Sequence, residues 1–398
     1  MKRFAARYVY PLAADSLPLR NAFVEMEDDG TVVRVGLCDR PEEEPVFFEG
    51  ALVPGFVNTH CHLELSYMRG LFRRGTGMAG FIDQINALRD TVSPEEKIKS
   101  IRYWMDMMRK RGVTALADIS NCADSFAVKA EVSASMYIRT FLEVFGTEPE
   151  DCASVMEGVR ALQAKAAEAG LGAAPTPHAC YTMSPQLLTA ASAAGLASGY
   201  LSYHSQESPQ EEELIRSGTG EMAENRRRAG MSTPPVTGAS SLRYFLDRLE
   251  EALPAPVPGH VLLVHAVCMD QDDVREALRR LQHPFIALCP LSNLYIHKRL
   301  PDVEMLRRSG IPLTVGTDSL SSNEDLDMVA ELHCLQEHFP SLSTGELLWW
   351  ACRNGAEFLG RGDVLGSLAT SKRPGLVLIS GLDAEGRLTP QSMSRRVR

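Results

Sequence analysis

The sequence predicts an α/β protein: a (β/α)8, TIM-like barrel with a small β-sandwich domain built from both termini. Two observations lead to this prediction. Eight short apolar runs alternate with charged helical stretches over most of the chain, the pattern of parallel strands joined by helices. The first 50 residues instead contain short strands broken by turns, and an apolar run at 376–379 offers them a partner.

The β-rich N-terminal segment has too little core to stand alone. Its predicted strands are 7–11, 21–25, 31–36 and 46–50. We therefore predict that the two termini pair in one domain. The predicted division of the chain is 1–50 for the N-terminal part of the β domain, 51–363 for the barrel and 364–398 for the C-terminal part of the β domain.

The apolar runs between the termini predict the barrel strands, at residues 51–58, 112–119, 137–145, 171–177, 200–203, 260–265, 285–289 and 311–316. A doubly wound open sheet is the alternative, but no glycine-rich dinucleotide turn follows the first strand. Two long stretches, 66–91 and 205–259, are expected to overhang the mouth of the barrel and shape a pocket there.

Composition excludes several classes of partner. The chain has 398 residues, of which 44% are hydrophobic and 23% charged, as in ordinary soluble proteins. Its net charge of −10 argues against nucleic acid or an anionic membrane as the main partner. No apolar run approaches the ~20 residues of a membrane span.

The nine cysteines include no Cys-x-x-Cys pair. This absence favours reduced thiols in the cytoplasm and excludes a zinc site of the cytidine-deaminase type.

Two histidines, His60 and His62, follow the first predicted barrel strand. Their i, i+2 spacing puts both imidazoles on one side of a strand, where they form half of a site for a divalent transition metal. Four further polar residues follow predicted strands in the same way: His204, Glu207, His265 and Asp318. Because the C-terminal ends of barrel strands meet at one mouth, a single metal site explains these positions better than separate coincidences do.

These motifs together resemble the amidohydrolase superfamily. The resemblance is closer to its mononuclear aminohydrolase branch, which holds cytosine, guanine, adenosine-type and S-adenosylhomocysteine deaminases and triazine chlorohydrolases. The segments that carry it are 54–62, 177–184, 204–207, 288–294 and 316–319, with His265. Residues 62–66 are similar to those of aminodeoxyfutalosine deaminase-like proteins, whereas 371–376 departs from the Gly-Lys-Ala-Asp stretch that is common in relatives.

The resemblance implies one divalent metal per chain, zinc or sometimes iron. The ligands that it implies are His60, His62, His204 and Asp318. Segment 171–182 contains no lysine, whereas the binuclear branch carries a bridging carboxylated lysine on that strand, and this difference favours one metal. The resemblance also gives catalytic roles to Glu207, His265 and Asp318. Glu207 would protonate a ring nitrogen, His265 would steady the attacking oxygen, and Asp318 would accept the proton of the attacking water.

Other polar residues near the predicted strand ends are candidates for substrate contacts: His178, Glu64, Arg139, Asn293 and Ser319. Glu143 occupies a similar position. The remaining histidines are expected on the surface or in packing, away from the motifs: His283, His297, His333 and His338.

The resulting hypothesis is a metal-dependent hydrolytic deaminase that removes the exocyclic amine of a purine nucleoside or related N-heterocycle. Aminodeoxyfutalosine, adenosine and S-adenosylhomocysteine are examples of such substrates. One alternative keeps the site but displaces chloride from a triazine-like ring or hydrolyses an amidine. Another is a catalytically inactive metal-binding scaffold, against which the presence of Glu207 and His265 argues. The expected partner is a small heterocyclic molecule, and relatives suggest a homodimer, although no stretch identifies an interface.

Overall fold

The structure is a computed structural model that describes residues 1–44, 46–89 and 91–398. Its strands in chain order are β1 (Lys2–Val9), β2 (Leu19–Met26), β3 (Val32–Leu37), β4 (Phe47–Pro54), β5 (Phe56–Cys61), β6 (Val113–Ser120), β7 (Tyr137–Val144), β8 (Ala173–Pro177), β9 (Tyr200–Ser205), β10 (Val257–His265), β11 (Leu281–Leu288), β12 (Leu313–Val315), β13 (Leu376–Ser380) and β14 (Met393–Arg396).

The α-helices are α1 (Gly77–Leu88), α2 (Pro94–Lys110), α3 (Phe126–Val132), α4 (Cys152–Glu168), α5 (Pro185–Leu196), α6 (Pro209–Ser217), α7 (Gly220–Ala229), α8 (Ser241–Glu250), α9 (Gln271–Arg280), α10 (Pro290–His297), α11 (Val303–Arg308), α12 (Met328–His338), α13 (Thr344–Leu348) and α14 (Gly355–Phe358). Short 3-10 turns lie at Pro41–Glu43, Leu63–Met68, Pro149–Asp151 and Cys180–Thr182, and a π-helical turn lies at Trp349–Asn354.

Strands from the two chain ends form one six-stranded sheet, in the order β14-β13-β4-β1-β2-β3. Strand β13 pairs antiparallel with β4, from Leu376 opposite Pro54 to Ile379 opposite Ala51. The predicted pairing of the termini is therefore confirmed. The domain limits at 50/51 and 363/364 stay a prediction.

The first predicted barrel run, 51–58, is divided between two elements and is not one strand. Its first half belongs to β4 of the six-stranded sheet, and the barrel strand β5 begins at Phe56. Gly55 separates them at a crowded point, where a Cβ atom would lie 2.2 Å from Thr114 Cγ2 and 2.6 Å from Pro374 O. Only glycine allows the chain to pass so close to these neighbours, and the strand breaks there.

The barrel is built from two four-stranded parallel sheets, β5-β6-β7-β8 and β12-β11-β10-β9. Backbone hydrogen bonds close both seams between them. His204 N donates to His178 O on one side, and the amides of Thr317 and Asp318 both donate to His60 O on the other. Each later apolar run of the sequence overlaps one of these strands, so the predicted (β/α)8 class is confirmed.

Other features agree with the composition. All nine cysteines are free thiols, and five of them are buried. None of the helices in the described ranges is both long enough and apolar enough to pass through a bilayer.

Candidate metal centre and active site

Three histidines converge at the mouth of the barrel. His60 and His62 lie at and just beyond the end of β5, His204 lies near the end of β9, and each offers a ring nitrogen within 4.8 Å of the others. The Nε2 atoms of His62 and His204 are 3.2 Å apart. Two nitrogen ligands on a tetrahedral metal at 2.0–2.1 Å would be separated by about 3.3 Å, so this spacing fits a shared ion.

Burial adds a second argument for a metal. His60 is fully buried, and neither of its ring nitrogens has a hydrogen-bond partner among the described residues. Burial lowers the pKa of His60, His62 and His204 below the ordinary value of histidine. The rings are therefore neutral, the form in which imidazole binds a metal. The donor set fits a divalent transition metal.

Asp318 reaches the same point from beyond β12. Its Oδ2 accepts hydrogen bonds from Ser292 Oγ at 2.5 Å and Ser322 Oγ at 3.1 Å. Its Oδ1 lies 3.7 Å from His60 Nε2 and 3.8 Å from His62 Nε2. Burial alone would raise the pKa of Asp318, but the surrounding histidines outweigh it and bring the pKa down to about 2. Asp318 is thus an ionised carboxylate with one oxygen directed at the histidine cluster.

Gly316 makes this approach possible. A Cβ atom at this position would lie 2.7 Å from His60 Cβ and 2.8 Å from His60 O. Glycine therefore allows the chain after β12 to run directly against the end of β5. This close approach brings Asp318 to the histidines.

Glu207 and His265 form an acid/base pair beside the cluster. Glu207 follows β9, His265 ends β10, and Glu207 Oε1 lies 3.5 Å from His265 Nε2. Glu207, His265 and Asp318 place their ligand atoms within 4.8 Å of one another. Burial raises the pKa of Glu207 to about 7, so a large fraction of this carboxyl group carries a proton at neutral pH.

Asn293 orients the His265 ring. Asn293 Nδ2 lies 3.0 Å from His265 Nδ1, so Nδ1 accepts a hydrogen bond and the ring proton resides on Nε2, which faces Glu207. The sequence predicted Asn293 as a substrate contact; in the structure its amide contacts the predicted catalytic histidine.

The backbone of Glu207 is held by a residue that the sequence reasoning missed. Both oxygens of Glu211 accept main-chain hydrogen bonds, Oε2 from Glu207 N at 2.9 Å and Oε1 from Gln206 N at 3.1 Å. Gln206 has a positive φ of 53°, so this turn needs such support. Burial raises the pKa of Glu211 to about 8. The signal in the sequence that could have indicated this role is the position of Glu211, four residues after Glu207.

A cavity opens above these groups, and His62, His204, Glu207, His265 and Asp318 all line it. Side chains of α1, from the predicted overhanging stretch 66–91, form much of its apolar wall: Met78, Phe81, Ile82 and Ile85. The predicted substrate residues His178 and Ser319 also line it. His178 Nδ1 lies 2.8 Å from Thr182 Oγ1, which fixes the ring orientation.

Two predicted substrate residues are engaged elsewhere. Arg139 lies near the start of β7, at the end of the barrel opposite the mouth, where its guanidinium stacks 3.8 Å from the Tyr200 ring and donates to Ser198 Oγ. The prediction for Arg139 is wrong because this residue lies near the N-terminal end of its strand, whereas only the C-terminal ends of the barrel strands face the mouth. Glu64 is buried near the mouth, but its Oε2 accepts hydrogen bonds from the amides of Asn121 and Cys122.

His297 was expected away from the motifs, but it lies beside the acid/base pair. Its side chain is 4% exposed, and its Nε2 is 3.9 Å from Glu207 Oε1. Burial lowers the pKa of His297 to about 4. His297 lies four residues after Asn293 on α10, and this i, i+4 spacing on one helix face was the overlooked signal.

Comparisons with known proteins agree with this geometry. The model of the amidohydrolase family matches residues 51–394. A 5-methylthioadenosine/S-adenosylhomocysteine deaminase of Syntrophomonas wolfei is 26% identical over 397 aligned positions, which cover 93% of this chain and 84% of that protein.

Two solved structures share the fold. Aminofutalosine deaminase of Helicobacter pylori, solved in complex with methylthio-coformycin, superposes with a TM-score of 0.76 at 22% identity and covers 96% of this chain and 93% of that one. Atrazine chlorohydrolase of Arthrobacter aurescens, complexed with zinc, gives a TM-score of 0.72 at 20% identity and covers 98% and 90%. The match of the family model over most of the sequence shows that this chain belongs to the amidohydrolase family, as a hydrolase of carbon–nitrogen bonds.

Proposed function

We propose that this protein is a metal-dependent hydrolytic deaminase. It removes the exocyclic amine of a purine nucleoside or related N-heterocycle, with adenine-type nucleosides as the leading substrates, and releases ammonia. The observation that carries the proposal is the group formed by Glu207, His265 and Asp318, which combines a carboxyl that can hold a proton at neutral pH, an imidazole N–H and an ionised carboxylate within 4.8 Å. Its relative from Syntrophomonas wolfei is named as a deaminase of adenine-type nucleosides.

His60, His62, His204 and Asp318 would hold the metal, zinc in our proposal, with iron as the alternative. A bound divalent metal with an open position lowers the pKa of water to about 7 and so supplies hydroxide at neutral pH. The zinc-complexed structural neighbour supports the choice of metal.

The chain's own groups manage the protons. Glu207 transfers its proton to the ring nitrogen next to the carbon that bears the amine, which makes this carbon electrophilic. The water oxygen adds to the carbon, its proton passes to Asp318, and the N–H of His265 steadies the oxygen as charge develops there. Asp318 then returns the proton to the amine and ammonia leaves as the carbonyl forms, while the proton of the added hydroxyl passes to the Glu207 carboxylate and restores its acid form.

The direct test is ammonia release by purified, zinc-loaded protein from a panel of aminopurines, aminopyrimidines, their nucleosides and aminotriazines. We expect release from adenine nucleosides. Glu207→Gln keeps the shape of the side chain but removes the transferable proton, so it should reduce kcat about 10²- to 10⁴-fold while one metal per chain remains bound. Glu150→Gln makes the same chemical change at an exposed position and should behave like the parent protein.

Other outcomes would redirect the assignment. Full activity in Glu207→Gln would show that this residue is not the acid. Chloride release from chlorotriazines without ammonia release from any nucleoside would favour the chlorohydrolase alternative, which the fold of the neighbour from Arthrobacter aurescens allows. The cytoplasmic location and the homodimer remain part of the proposal, and light scattering coupled to gel filtration tests the latter.

A further inference from the structure

Glu143 holds a buried oxygen that nothing in the described protein satisfies. The residue is 6% exposed and lies next to the C-terminal end of β7. Its Oε2 accepts a hydrogen bond from Asn121 Nδ2 at 3.1 Å, whereas its Oε1 is buried without a hydrogen-bond partner in the described ranges. His204 Nδ1 lies 3.4 Å from Oε1, but this nitrogen faces the carbonyl oxygen of His178 at 3.2 Å. A buried oxygen without a partner in the protein is satisfied from outside the chain, and here the cavity is where a bound molecule can supply that partner.

The orphaned oxygen belongs to the cavity. Glu143, Asn121 and His178 all line it. Glu143, His178 and His204 bring their ligand atoms within 4.8 Å of one another. The acid/base group at Glu207 forms a separate cluster that shares none of these residues. His204 also belongs to the proposed metal centre, but Glu143 and Asn121 have no role in the proposed chemistry, so they form a second polar region of the cavity.

Asn121 and Glu64 build this second region. Glu64 Oε2 accepts from Asn121 N at 2.8 Å and so fixes the turn after β6. The Asn121 side chain then donates both to Glu143 O at 3.0 Å and to Glu143 Oε2. With one carboxylate oxygen and the main chain held in this way, the free Oε1 has a fixed direction, as a recognition site requires.

The chemistry of the proposed substrate identifies the missing donor. An adenine nucleoside carries hydrogen-bond donors on its exocyclic amine and on its sugar hydroxyls. The amine is the reacting group and lies with the Glu207 cluster, which leaves a sugar hydroxyl for Glu143. A hydroxyl group both donates and accepts, so it pairs with Oε1 whether or not the carboxyl group carries a proton.

We infer that Glu143, oriented by Asn121, is a specificity-determining residue that binds a sugar hydroxyl of the substrate. The site would then select ribonucleosides over bare bases and over nucleosides whose sugars lack hydroxyls. This inference rests on the proposed deaminase function and assigns to it a sugar-binding group at the end of β7.

The test compares adenosine with 2′,3′-dideoxyadenosine as substrates of the zinc-loaded protein. We expect the parent protein to prefer adenosine by about tenfold to a hundredfold in kcat/KM, because a substrate without sugar hydroxyls leaves the buried Oε1 of Glu143 without a partner. Glu143→Met keeps the length of the side chain but removes both oxygens, so it should lose most of this preference through a lower value for adenosine, with the value for the dideoxy compound within about twofold of the parent. Glu150→Met, at an exposed position, should keep the preference.

Three results would overturn the inference, and each differs from failure of the proposed function. Equal kcat/KM values for both substrates in the parent protein would do so without any variant. A loss of metal from Glu143→Met, with both substrates slowed alike, would make Glu143 a positioning residue for His204. Two metals per parent chain and one in the variant would make it a metal ligand. Ammonia release from no member of the panel would instead remove the proposed function itself, together with the inference.

Discussion

A buried ion pair beside β5, the strand that carries His60, offers the sharpest test of how buried charges contribute to the stability of the fold. Lys129 on α3 and Asp118 on β6 are both fully buried, and Lys129 Nζ lies 2.6 Å from Asp118 Oδ2. Lys129 also donates to Ser120 Oγ at 2.9 Å and to Thr140 Oγ1 at 3.1 Å. The other oxygen of Asp118 accepts from the amide of Leu63 at 2.9 Å, directly after His62.

We predict that Lys129→Met lowers the free energy of unfolding by about 3–5 kcal/mol. The methionine fills most of the volume, so the cost comes from the Asp118 charge that stays buried without its cation. Replacing Asp118 as well should recover part of the loss, because the double variant Asp118→Asn/Lys129→Met carries no charge there. Its asparagine Oδ1 can still accept the hydrogen bond from Leu63 N.

Urea denaturation of the metal-loaded proteins measures these differences. Lys165→Met, at an exposed position on α4, makes the same substitution outside the core and should change stability by less than about 0.5 kcal/mol. A loss below about 1 kcal/mol in Lys129→Met would refute the reasoning, since it would mean that Asp118 needs no cation. A double variant less stable than Lys129→Met would refute it too, because the two changes would then not be coupled through charge.

Two further variants probe the centre and its support. His60→Ala removes a fully buried ligand candidate, so the purified protein should contain far less than one metal per chain. His283→Ala makes the same change at an exposed position and should retain the metal. Elemental analysis after dialysis against a chelator measures the metal content of both variants, and full occupancy in His60→Ala would exclude this residue as a ligand. The second variant concerns Glu211, whose pKa is raised by burial from 4.5 to about 8. Between these two values the folded protein keeps a proton that the unfolded chain has lost, so the free energy of unfolding should fall as the pH rises through this window. Glu211→Gln cannot titrate and should show a flatter profile in urea denaturation at pH 5 to 8; identical slopes would mean that Glu211 is not the group responsible.

The fold and the convergence of the histidines were predictable because both depend on position along a strand. Parallel strands bring their C-terminal ends to one face, so histidines after separate strands had to meet there. Arg139 shows where this reasoning failed. Its apolar run was identified correctly, but the residue lies near the beginning of β7, and the direction of the strand sends it to the opposite face. The split of 51–58 into β4 and β5 was missed because the crowding at Gly55 comes from residues distant in sequence.

The supporting contacts of the site could not be predicted in the same way, because they depend on side-chain geometry between separate elements. Lys129 follows Asp118 by 11 residues on the next helix, and nothing in the local pattern says that its ammonium group turns inward. Asn293 and His297 share one face of α10, yet only the packed structure brings one to His265 and the other to Glu207.

The chain of contacts from Glu64 to Glu143 shows how a sequence prediction can be right about location and still miss the role. Glu64 was expected at the substrate, and it does lie near the mouth. Its carboxylate, however, holds Asn121, and Asn121 holds Glu143, which carries the unpartnered oxygen. If Glu143 binds the sugar, Glu64→Gln should weaken the preference for adenosine over its dideoxy analogue only partly, because the two backbone hydrogen bonds from Asn121 and Cys122 would weaken while the Glu143 side chain would remain. The same assay therefore separates the group that binds the sugar from the group that positions it.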